Sequence, residues 1–214
     1  MNMLLADIGN TYFHIYDGKK VKHLSYDDAI SNYATTKMQY ISVKSQLDKR
    51  IEEIVLWENI SKYMKIEGEY DTMGIDRKAL CLSHANGLFV DAGSAITVDV
   101  VENGKYIGGF ILPGLKAYIE SYKVISPALE TELNYNLQLD ELPSTTKDGI
   151  SYGIIASIKA LIDKHSEAKT LYFTGGDGKF LLTFFDGAVY DETLVFQGMQ
   201  KALKMKIIKD DKKC

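Results

Sequence analysis

The same order of apolar and polar positions occurs near the N-terminus and again in the middle of the chain. Residues 4–21 read LLADIGNTYFHIYDGKKV, and residues 88–107 read LFVDAGSAITVDVVENGKYI. In each stretch an apolar run ends in an aspartate, a glycine turn follows, and an alternating segment leads to a second turn containing Gly-Lys. Alternation with Asn-Gly or Asp-Gly turns is typical of β-hairpins. The pattern predicts two similar hairpins and favours a duplicated domain over two unrelated turns.

The remaining pattern alternates between strand-like and helix-like segments. The hairpin strands of the first stretch are predicted at 3–7 and 11–17. Further strands are predicted at 40–43, 53–57, 106–112 and 170–174, and helices at 45–51, 76–86, 115–124, 147–164, 178–185 and 192–204. Such an order indicates an α/β chain with two related domains, residues 1–86 and 87–214. A cleft between two such domains is a common ligand site.

Composition narrows the classes of protein to be considered. The 214 residues fit one large or two small globular domains, and the net charge of −4 argues against nucleic acid as the main partner. The two cysteines, Cys81 and Cys214, form neither a disulfide framework nor a zinc spacing, which suits a reducing cytosol. No signal-peptide pattern and no membrane-spanning apolar stretch is visible, so we expect a cytoplasmic protein without a membrane partner.

The first glycine turn, Asp7-Ile8-Gly9-Asn10-Thr11, has the residue types of a phosphate-binding turn. Glycine lets the backbone approach an anion closely, and Asn and Thr add side-chain donors beside backbone N–H groups. Asp7, at a strand end, can hold Mg²⁺ directly or through water. The alternative is a hairpin turn with an Asx hydrogen bond. The chain has no G-x-x-x-x-G-K-[ST] motif, which excludes a P-loop enzyme.

Two more glycine turns follow predicted strands. They are Asp91-Ala92-Gly93-Ser94 and Thr174-Gly175-Gly176-Asp177-Gly178. The Gly-Gly pair permits close backbone contact with a planar or anionic ligand, although a flexible strand-to-helix turn is the slightly favoured explanation when this motif is taken alone. Three glycine turns after three strands are more informative than any one of them, and they favour a phosphate-containing ligand.

The segment Gly74-Ile75-Asp76-Arg77 stands at the predicted start of a helix. An Asp-Arg pair there is ordinarily a cap and a solvated charge. In a functional interpretation, Asp76 is a general base toward a hydroxyl group, and the planar fork of Arg77 binds a substrate carboxylate. The four histidines have no metal-ligand spacing and are interpreted as surface or core residues.

Taken together, these motifs resemble type III pantothenate kinase, the bacterial enzyme that opens coenzyme A synthesis. The matching stretches are DIGNT (7–11), GIDR (74–77), DAGSAITVD (91–99), GGFILPG (108–114), TTKDGISYG (145–153) and FTGGDG (173–178). The resemblance implies the actin-like ATPase fold, an α/β architecture with two duplicated ribonuclease H-like domains around a nucleotide cleft. It also implies ATP-dependent phosphorylation of pantothenate to 4'-phosphopantothenate.

The resemblance assigns roles to individual residues. ATP would be contacted by Asp7, Ile8, Gly9, Asn10, Thr11, Ser94, Gly175 and Gly176, with Mg²⁺ at Asp7. Asp76 would be the general base, and pantothenate would be contacted by Tyr70, Gly74, Ile75, Arg77 and Thr146. Asp91 would bind a monovalent cation, K⁺ or NH₄⁺. The family is homodimeric, and Thr146 would reach pantothenate across the dimer interface, so the active site would be shared.

The sequence departs from the family at two positions and leaves three alternatives. Ser94 stands where Thr is more frequent, and Tyr70 is the nearest counterpart of a tyrosine that precedes G-x-D-R in a different register. The alternatives are a kinase for another small hydroxylated substrate, a non-catalytic ATP-binding regulatory or accessory protein, and an actin-like filament protein. Arg77 favours an anionic acceptor, and Asp76 favours a catalyst over a pure binder.

Overall fold

The computed structural model describes residues 3–43 and 49–211. The chain divides into two compact units. The first contains Met1–Ala85, Asn103–Tyr106 and Glu192–Cys214, and the second contains Asn86–Glu102 and Ile107–Asp191. Within the described residues, no helix has the length and apolar character needed to span a membrane.

The first unit contains a five-stranded mixed sheet. Its strands are β1 (Leu4–Ile8), β2 (Phe13–Tyr16), β3 (Val21–Leu24), β4 (Met38–Ser42) and β5 (Trp57–Asn59), in the order β3-β2-β1-β4-β5. Strand β2 is antiparallel to β1 and β3, whereas β1–β4 and β4–β5 are parallel pairs. The helices are α1 (Tyr26–Tyr33), α2 (Lys49–Glu52), α3 (Ile75–Leu82) and, much later in the chain, α7 (Leu194–Asp211).

The second unit contains another five-stranded sheet. Its strands are β6 (Gly87–Ala92), β7 (Ala95–Glu102), β8 (Lys105–Pro113), β9 (Leu171–Thr174) and β10 (Val189–Tyr190), in the order β10-β9-β6-β7-β8. The first two residues of β8 belong to the first unit. The helices are α4 (Leu115–Ile125), α5 (Thr146–Ser166) and α6 (Gly178–Leu182), with short 3₁₀ turns at Pro127–Leu129 here and at Ser61–Tyr63 in the first unit.

The two sheets have the same topology. Each central strand, β1 or β6, pairs antiparallel with the next strand in sequence and parallel with the fourth strand of its unit. The fifth strand then adds a further parallel pair at the edge. The repeat inferred from the two hairpins therefore extends to all five strands of each sheet.

Alternation along β6 and β7 separates a wholly apolar face from a mixed one, which carries Phe89 as well as polar side chains. Leu88, Val90, Ala92, Ile96 and Val98 enter the core beneath α5. Asp91 and Thr97 are directly opposite each other on the other face, because successive side chains of a strand point to opposite sides of the sheet. Fully buried Asp99 lies on that second face too.

Most of the predicted elements are confirmed. The second hairpin has positive φ at both Asn103 (53°) and Gly104 (78°), the pair of conformations that an Asn-Gly turn supplies. The predicted helix at 76–86 is shorter and ends at Leu82, because Gly87 already begins β6. For the helix predicted at 45–51, residues 44–48 lie outside the described residues, and α2 covers Lys49–Glu52.

The strand predicted at 53–57 is wrong. Strand β5 begins only at Trp57, and the preceding residues form a turn in which the Ile54 N–H donates to the Ile51 carbonyl at 3.2 Å. Val55, which suggested a strand, is 96% exposed. Strand β3 and helix α1 were not predicted from the sequence. Helix α1 begins with a recognisable N-cap, because the Ser25 side chain accepts a hydrogen bond from the Asp28 N–H.

Helix α7 packs on α3 within the first unit, whereas the predicted boundary between residues 86 and 87 assigns it to the second domain. Division of the chain into domains at that boundary stays a prediction. A Cβ atom built on Gly198 of α7 would lie 1.7 Å from the carbonyl oxygen of Ala79 in α3. Glycine is therefore required at the place where the two helix backbones meet.

We expect Gly198→Ala to lower the free energy of unfolding by about 1–3 kcal/mol or more, because the added methyl group forces the helices apart. Gly153 in the middle of α5 is the matched control, since a Cβ built there meets nothing within 4 Å. Gly153→Ala should raise stability by about 0.5–1 kcal/mol. Urea denaturation of both variants measures the difference, and equal effects would contradict the close contact.

Candidate functional site

The first glycine turn is held in place by hydrogen bonds to its central residue. The Gly9 N–H donates to the Tyr12 carbonyl at 3.1 Å, and the Tyr26 hydroxyl of α1 donates to the Gly9 carbonyl at 2.6 Å. A Cβ on Gly9 would lie 3.3 Å from the Tyr12 oxygen. The turn is thus fixed from both sides directly after Asp7.

The side chains of this turn differ in what they can offer a ligand. Ile8 is fully buried and can contribute only its backbone groups. Asn10 and Thr11 are exposed, and Asp7 is half-buried at the end of β1. A carboxylate, an amide, a hydroxyl and backbone N–H groups therefore occur within five residues, a donor and acceptor set suited to a phosphate with a divalent cation.

His14 is a neighbour of this turn that the sequence analysis left without a role. It lies directly opposite Asp7 in the β1–β2 pairing, and its Nδ1 is 2.6 Å from Nδ1 of His23. Burial, and then the charge of His23, lower the pKa of His14 from 6.5 to about 4. His14 is consequently neutral near pH 7. The hairpin register was the signal that could have identified this neighbour.

Asp76 lies in the first turn of α3. The Lys78 N–H donates to the Gly74 carbonyl at 3.1 Å and begins the helix, and the Arg77 N–H donates to Asp76 Oδ1 at 2.7 Å. Burial raises the pKa of Asp76 above its ordinary 3.8, and the hydrogen bond from the Arg77 backbone only partly opposes that rise. Asp76 therefore binds a proton more readily than an exposed aspartate, as a general base requires.

Arg77, the next residue, is buried, and two tyrosines hold its guanidinium group. Its Nη1 donates to the Tyr70 hydroxyl at 2.6 Å, and its Nη2 donates to the Tyr106 hydroxyl at 3.3 Å. The structure thus brings together Tyr70 and Arg77, two of the residues expected to contact substrate. Tyr106 was missed, because it lies 29 residues further along in an ordinary alternating strand with no local signal.

The loop that carries Tyr70 is fixed at several points within the first unit. Glu69 forms an ion pair with Lys78 of α3, with Oε1 and Nζ 3.0 Å apart. The Tyr106 N–H donates to the Glu67 carbonyl at 2.8 Å. Gly68 has a φ of +83°, and a Cβ there would lie 2.4 Å from the Tyr106 carbonyl oxygen. This loop, α3 and the start of β8 together build the surroundings of Arg77.

In the second unit, the Asp91 turn and the Gly175 turn fold onto each other. A Cβ on Gly175, whose φ is +83°, would lie 2.6 Å from Asp91 Oδ1 and 2.4 Å from the Ala92 carbonyl oxygen. The Asp177 N–H donates to the same carbonyl at 3.0 Å. Two of the three predicted glycine turns are therefore in direct contact.

Ser94 and Gly176 are exposed beside these turns. The Gly114 N–H donates to the Ser94 carbonyl at 3.2 Å, and a Cβ on Gly114 would lie 2.6 Å from that oxygen. The GGFILPG segment thus supports the backbone of the Asp91 turn and leaves the Ser94 hydroxyl accessible.

Asp91 is flanked by two threonines in neighbouring strands. Thr97 of β7 is its direct partner on one side, and Thr174 of β9 is its partner on the other. The Thr97 Oγ1 atom is buried and has no hydrogen-bond partner among the described residues. Its oxygen is therefore available, beside Asp91, as a neutral ligand.

Thr146 is the first residue of α5 and is exposed. Its neighbour Thr145 caps the helix, with the hydroxyl oxygen accepting from the Asp148 N–H at 3.1 Å. In the part of the chain that the structure describes, no hydrogen bond connects Thr146 with the Asp91 and Gly175 turns. The structure does not bring Thr146 together with the other predicted residues of the second unit.

Across residues 3–43 and 49–211, no group of three or more histidine, cysteine, aspartate or glutamate side chains is arranged to hold a metal ion. Cation binding would therefore need one carboxylate together with hydroxyl or carbonyl oxygens, or with oxygens of a bound ligand.

Comparison with known proteins shows to which family this combination of motifs belongs. The sequence profile of the family described as type III pantothenate kinase matches residues 29–168. A protein of that name from Helicobacter hepaticus is 43% identical over 216 residues, covering 96% of this chain and 100% of its own length. The chain belongs to the type III pantothenate kinase family. A type III pantothenate kinase from Campylobacter jejuni is 42% identical and covers 94% of this chain and 97% of its own length.

Solved structures support the fold. A Campylobacter jejuni chain named for the Baf family of transcriptional activators superimposes with a TM-score of 0.86 at 41% identity, covering 95% of this chain and 98% of its own. An activator of 2-hydroxyisocaproyl-CoA dehydratase from Clostridium difficile, solved with bound ADPNP, has a TM-score of 0.52 at 9% identity and covers 99% and 98%. This second likeness concerns the fold alone. The predicted type III pantothenate kinase family and the actin-like ATPase fold class are confirmed.

Proposed function

We propose that this type III pantothenate kinase family member transfers the γ-phosphoryl group of ATP to the primary hydroxyl of pantothenate. The product is 4'-phosphopantothenate, and the reaction is the first step of coenzyme A biosynthesis, carried out in the cytoplasm. The observation that carries the proposal is the pairing, at the start of α3, of an aspartate with a raised pKa and a buried arginine held by tyrosines.

The acceptor would be bound through both of its ends. Pantothenate has a carboxylate at one end and a primary hydroxyl at the other. The planar guanidinium of Arg77 suits the carboxylate, with Tyr70, Gly74 and Ile75 as neighbouring contacts. Asp76 would accept the proton of the hydroxyl as the new O–P bond forms, and the leaving group is ADP. Most of the rate acceleration would come from orientation and charge stabilisation.

The nucleotide would be bound by the glycine turns. Asp7, Ile8, Gly9, Asn10 and Thr11 would contact the phosphates, and the donor set of this turn fits Mg²⁺ with Asp7 as its protein ligand. Mg²⁺, when bound, neutralises charge on the phosphates. In the second unit, the accessible Ser94 hydroxyl and the backbone at Gly175 and Gly176 would also contact ATP.

A monovalent cation, K⁺ or NH₄⁺, would be bound at Asp91. The residues fit such an ion, because the buried Oγ1 of Thr97 lacks a partner among the described residues and belongs to the residue opposite Asp91. Thr97 would add a neutral oxygen to the carboxylate, and neutral oxygens that replace the hydration shell are how proteins bind K⁺.

The proposal includes a homodimer with a shared active site. Thr146 is exposed at the first residue of a 21-residue helix, where it is accessible to another chain. It would contact pantothenate bound by the partner subunit, as expected for a two-fold symmetric enzyme.

The direct test is ATP-dependent phosphorylation of pantothenate by the purified protein, in K⁺ and in Na⁺ alone. We expect turnover that needs pantothenate and is much faster in K⁺. ATP binding without phosphorylation of pantothenate or of a panel of sugars would favour the regulatory alternative. Phosphorylation of a sugar but not of pantothenate would indicate a kinase for another hydroxylated substrate. An increase in light scattering on addition of ATP would indicate a filament-forming protein.

Asp76→Asn should lower kcat by about 10²–10⁴-fold, the usual contribution of a general base. Asp71→Asn is the matched control, because Asp71 is exposed in the preceding loop. Steady-state kinetics compare the two variants. Wild-type turnover in Asp76→Asn would remove Asp76 from the proposed role.

The role of Asp76 as a general base also predicts how activity depends on pH. Asp76 must be ionised to accept a proton, and burial raises its pKa, so activity should rise with pH through a midpoint above 3.8. The pH profile of kcat/KM should be measured with pantothenol, in which a CH₂OH group replaces the carboxylate and no substrate carboxyl titrates. A midpoint below 3.8 would contradict the assignment.

Thr97→Val should separate cation binding from folding. In Na⁺ its melting temperature should equal or exceed that of the wild type, because the substitution removes a buried hydroxyl that has no partner and keeps the shape. K⁺ should stabilise the wild type and Thr97→Ser, by about 2.7 kcal/mol at 100 times Kd, but not Thr97→Val. Equal K⁺ stabilisation of all three proteins would exclude Thr97 as a ligand.

A further inference from the structure

Tyr106 has two of the properties expected of a residue that orients a functional arginine. It is only 6% exposed, and its hydroxyl accepts a hydrogen bond from Arg77 Nη2 at 3.3 Å. Tyr70 accepts from Nη1 of the same guanidinium at 2.6 Å and is 41% exposed. One tyrosine hydroxyl therefore holds each terminal nitrogen of the fork.

The position of Tyr106 is itself fixed by contacts of its backbone and ring. Its N–H donates to the Glu67 carbonyl at 2.8 Å, and its carbonyl oxygen faces Gly68, where no Cβ would fit. Its ring centroid is 6.0 Å from that of Tyr70. The loop before α3 and the first residues of β8 thus form one packed group, in which the Arg77 guanidinium is bonded to both tyrosine hydroxyls.

Holding both terminal nitrogens fixes the plane of a guanidinium, and bidentate recognition of a carboxylate depends on that plane. Hydroxyl groups are neutral, so these two hydrogen bonds orient Arg77 and bring no negative charge of their own to the guanidinium.

We propose that Tyr106 is a positioning residue that sets the plane of Arg77 and thereby selects acceptors ending in a carboxylate over acceptors with a neutral end. This inference rests on the proposed function, in which Arg77 binds the carboxylate of pantothenate. Tyr106 acts through Arg77 and takes no part in proton transfer or phosphoryl transfer.

Tyr106→Phe removes only the hydroxyl and keeps the buried ring. We expect the KM for pantothenate to rise about 3- to 30-fold, the range of one hydrogen bond to a charged group that acts indirectly. The kcat value should stay within about twofold of wild type, and the KM for ATP should not change. Tyr122→Phe in α4, which removes the hydroxyl of a half-buried tyrosine in the second unit, is the control and should change neither constant.

The neutral substrate analogue pantothenol separates orientation from general loss of structure. Tyr106→Phe should lower kcat/KM for pantothenate and leave kcat/KM for pantothenol within about twofold. An equal loss for both substrates would show that Tyr106 supports the fold rather than Arg77, and an unchanged KM for pantothenate would also overturn the inference.

A double-mutant cycle with Arg77→Ala tests whether Tyr106 acts through the arginine. In the Arg77→Ala background, Tyr106→Phe should have no further effect on the KM for pantothenate, whereas additive effects would contradict the proposal. Failure of the proposed function can be distinguished from failure of the Tyr106 inference, because in the first case the wild-type protein would not phosphorylate pantothenate at all. Thermal melting of each variant confirms that it is folded.

Discussion

The position of α3 depends on a backbone contact that only glycine permits. Gly198 of α7 lies against the Ala79 carbonyl so closely that a Cβ would overlap it, at 1.7 Å. Ala79 is two residues beyond Arg77 on a short helix, so a displacement of the helix axis there moves the guanidinium group and the Asp76 carboxylate with it. Because packed interiors transmit strain, a close helix contact can fix side chains on the far side of the helix. Asp76 and Arg77 are therefore positioned by a part of the chain that is remote in sequence.

Repetition of one sheet topology explains why aspartates recur at equivalent places. Asp7 lies near the end of β1 and Asp91 near the end of β6, and each of these central strands has an antiparallel neighbour on one side and a parallel one on the other. The two copies have diverged in their surroundings. Asp7 is followed by an exposed polar turn, whereas Asp91 packs against Gly175 and lies between two threonines. The same strand-end carboxylate therefore has an exposed polar turn beside it in one unit and a packed, threonine-flanked environment in the other.

Short sequence motifs correctly predicted those elements that are determined by a few consecutive residues. The Asn103-Gly104 turn, the α5 pattern and the glycine turns are each encoded within a few residues, and the structure contains them. Contacts between distant residues were not predictable in this way. The meeting of Tyr106 with Arg77, the packing of α7 on α3 and the Thr97–Asp91 pair depend on strand register and tertiary packing. The wrong strand at 53–57 has the same origin, because an apolar run at Ile54 and Val55 does not reveal that Val55 remains exposed.

The late position of α7 in the chain has a consequence during synthesis. Helix α3 and the Tyr70 loop leave the ribosome early, yet the helix that fixes α3 begins only at Leu194. At ordinary translation speeds the interval is on the order of ten seconds. Throughout that time the nascent chain carries Asp76 and Arg77 without the backbone contact that holds them. Asp76 and Arg77 can reach their final arrangement only after translation has passed the second unit, so a fragment that ends before α7 should not contain this arrangement.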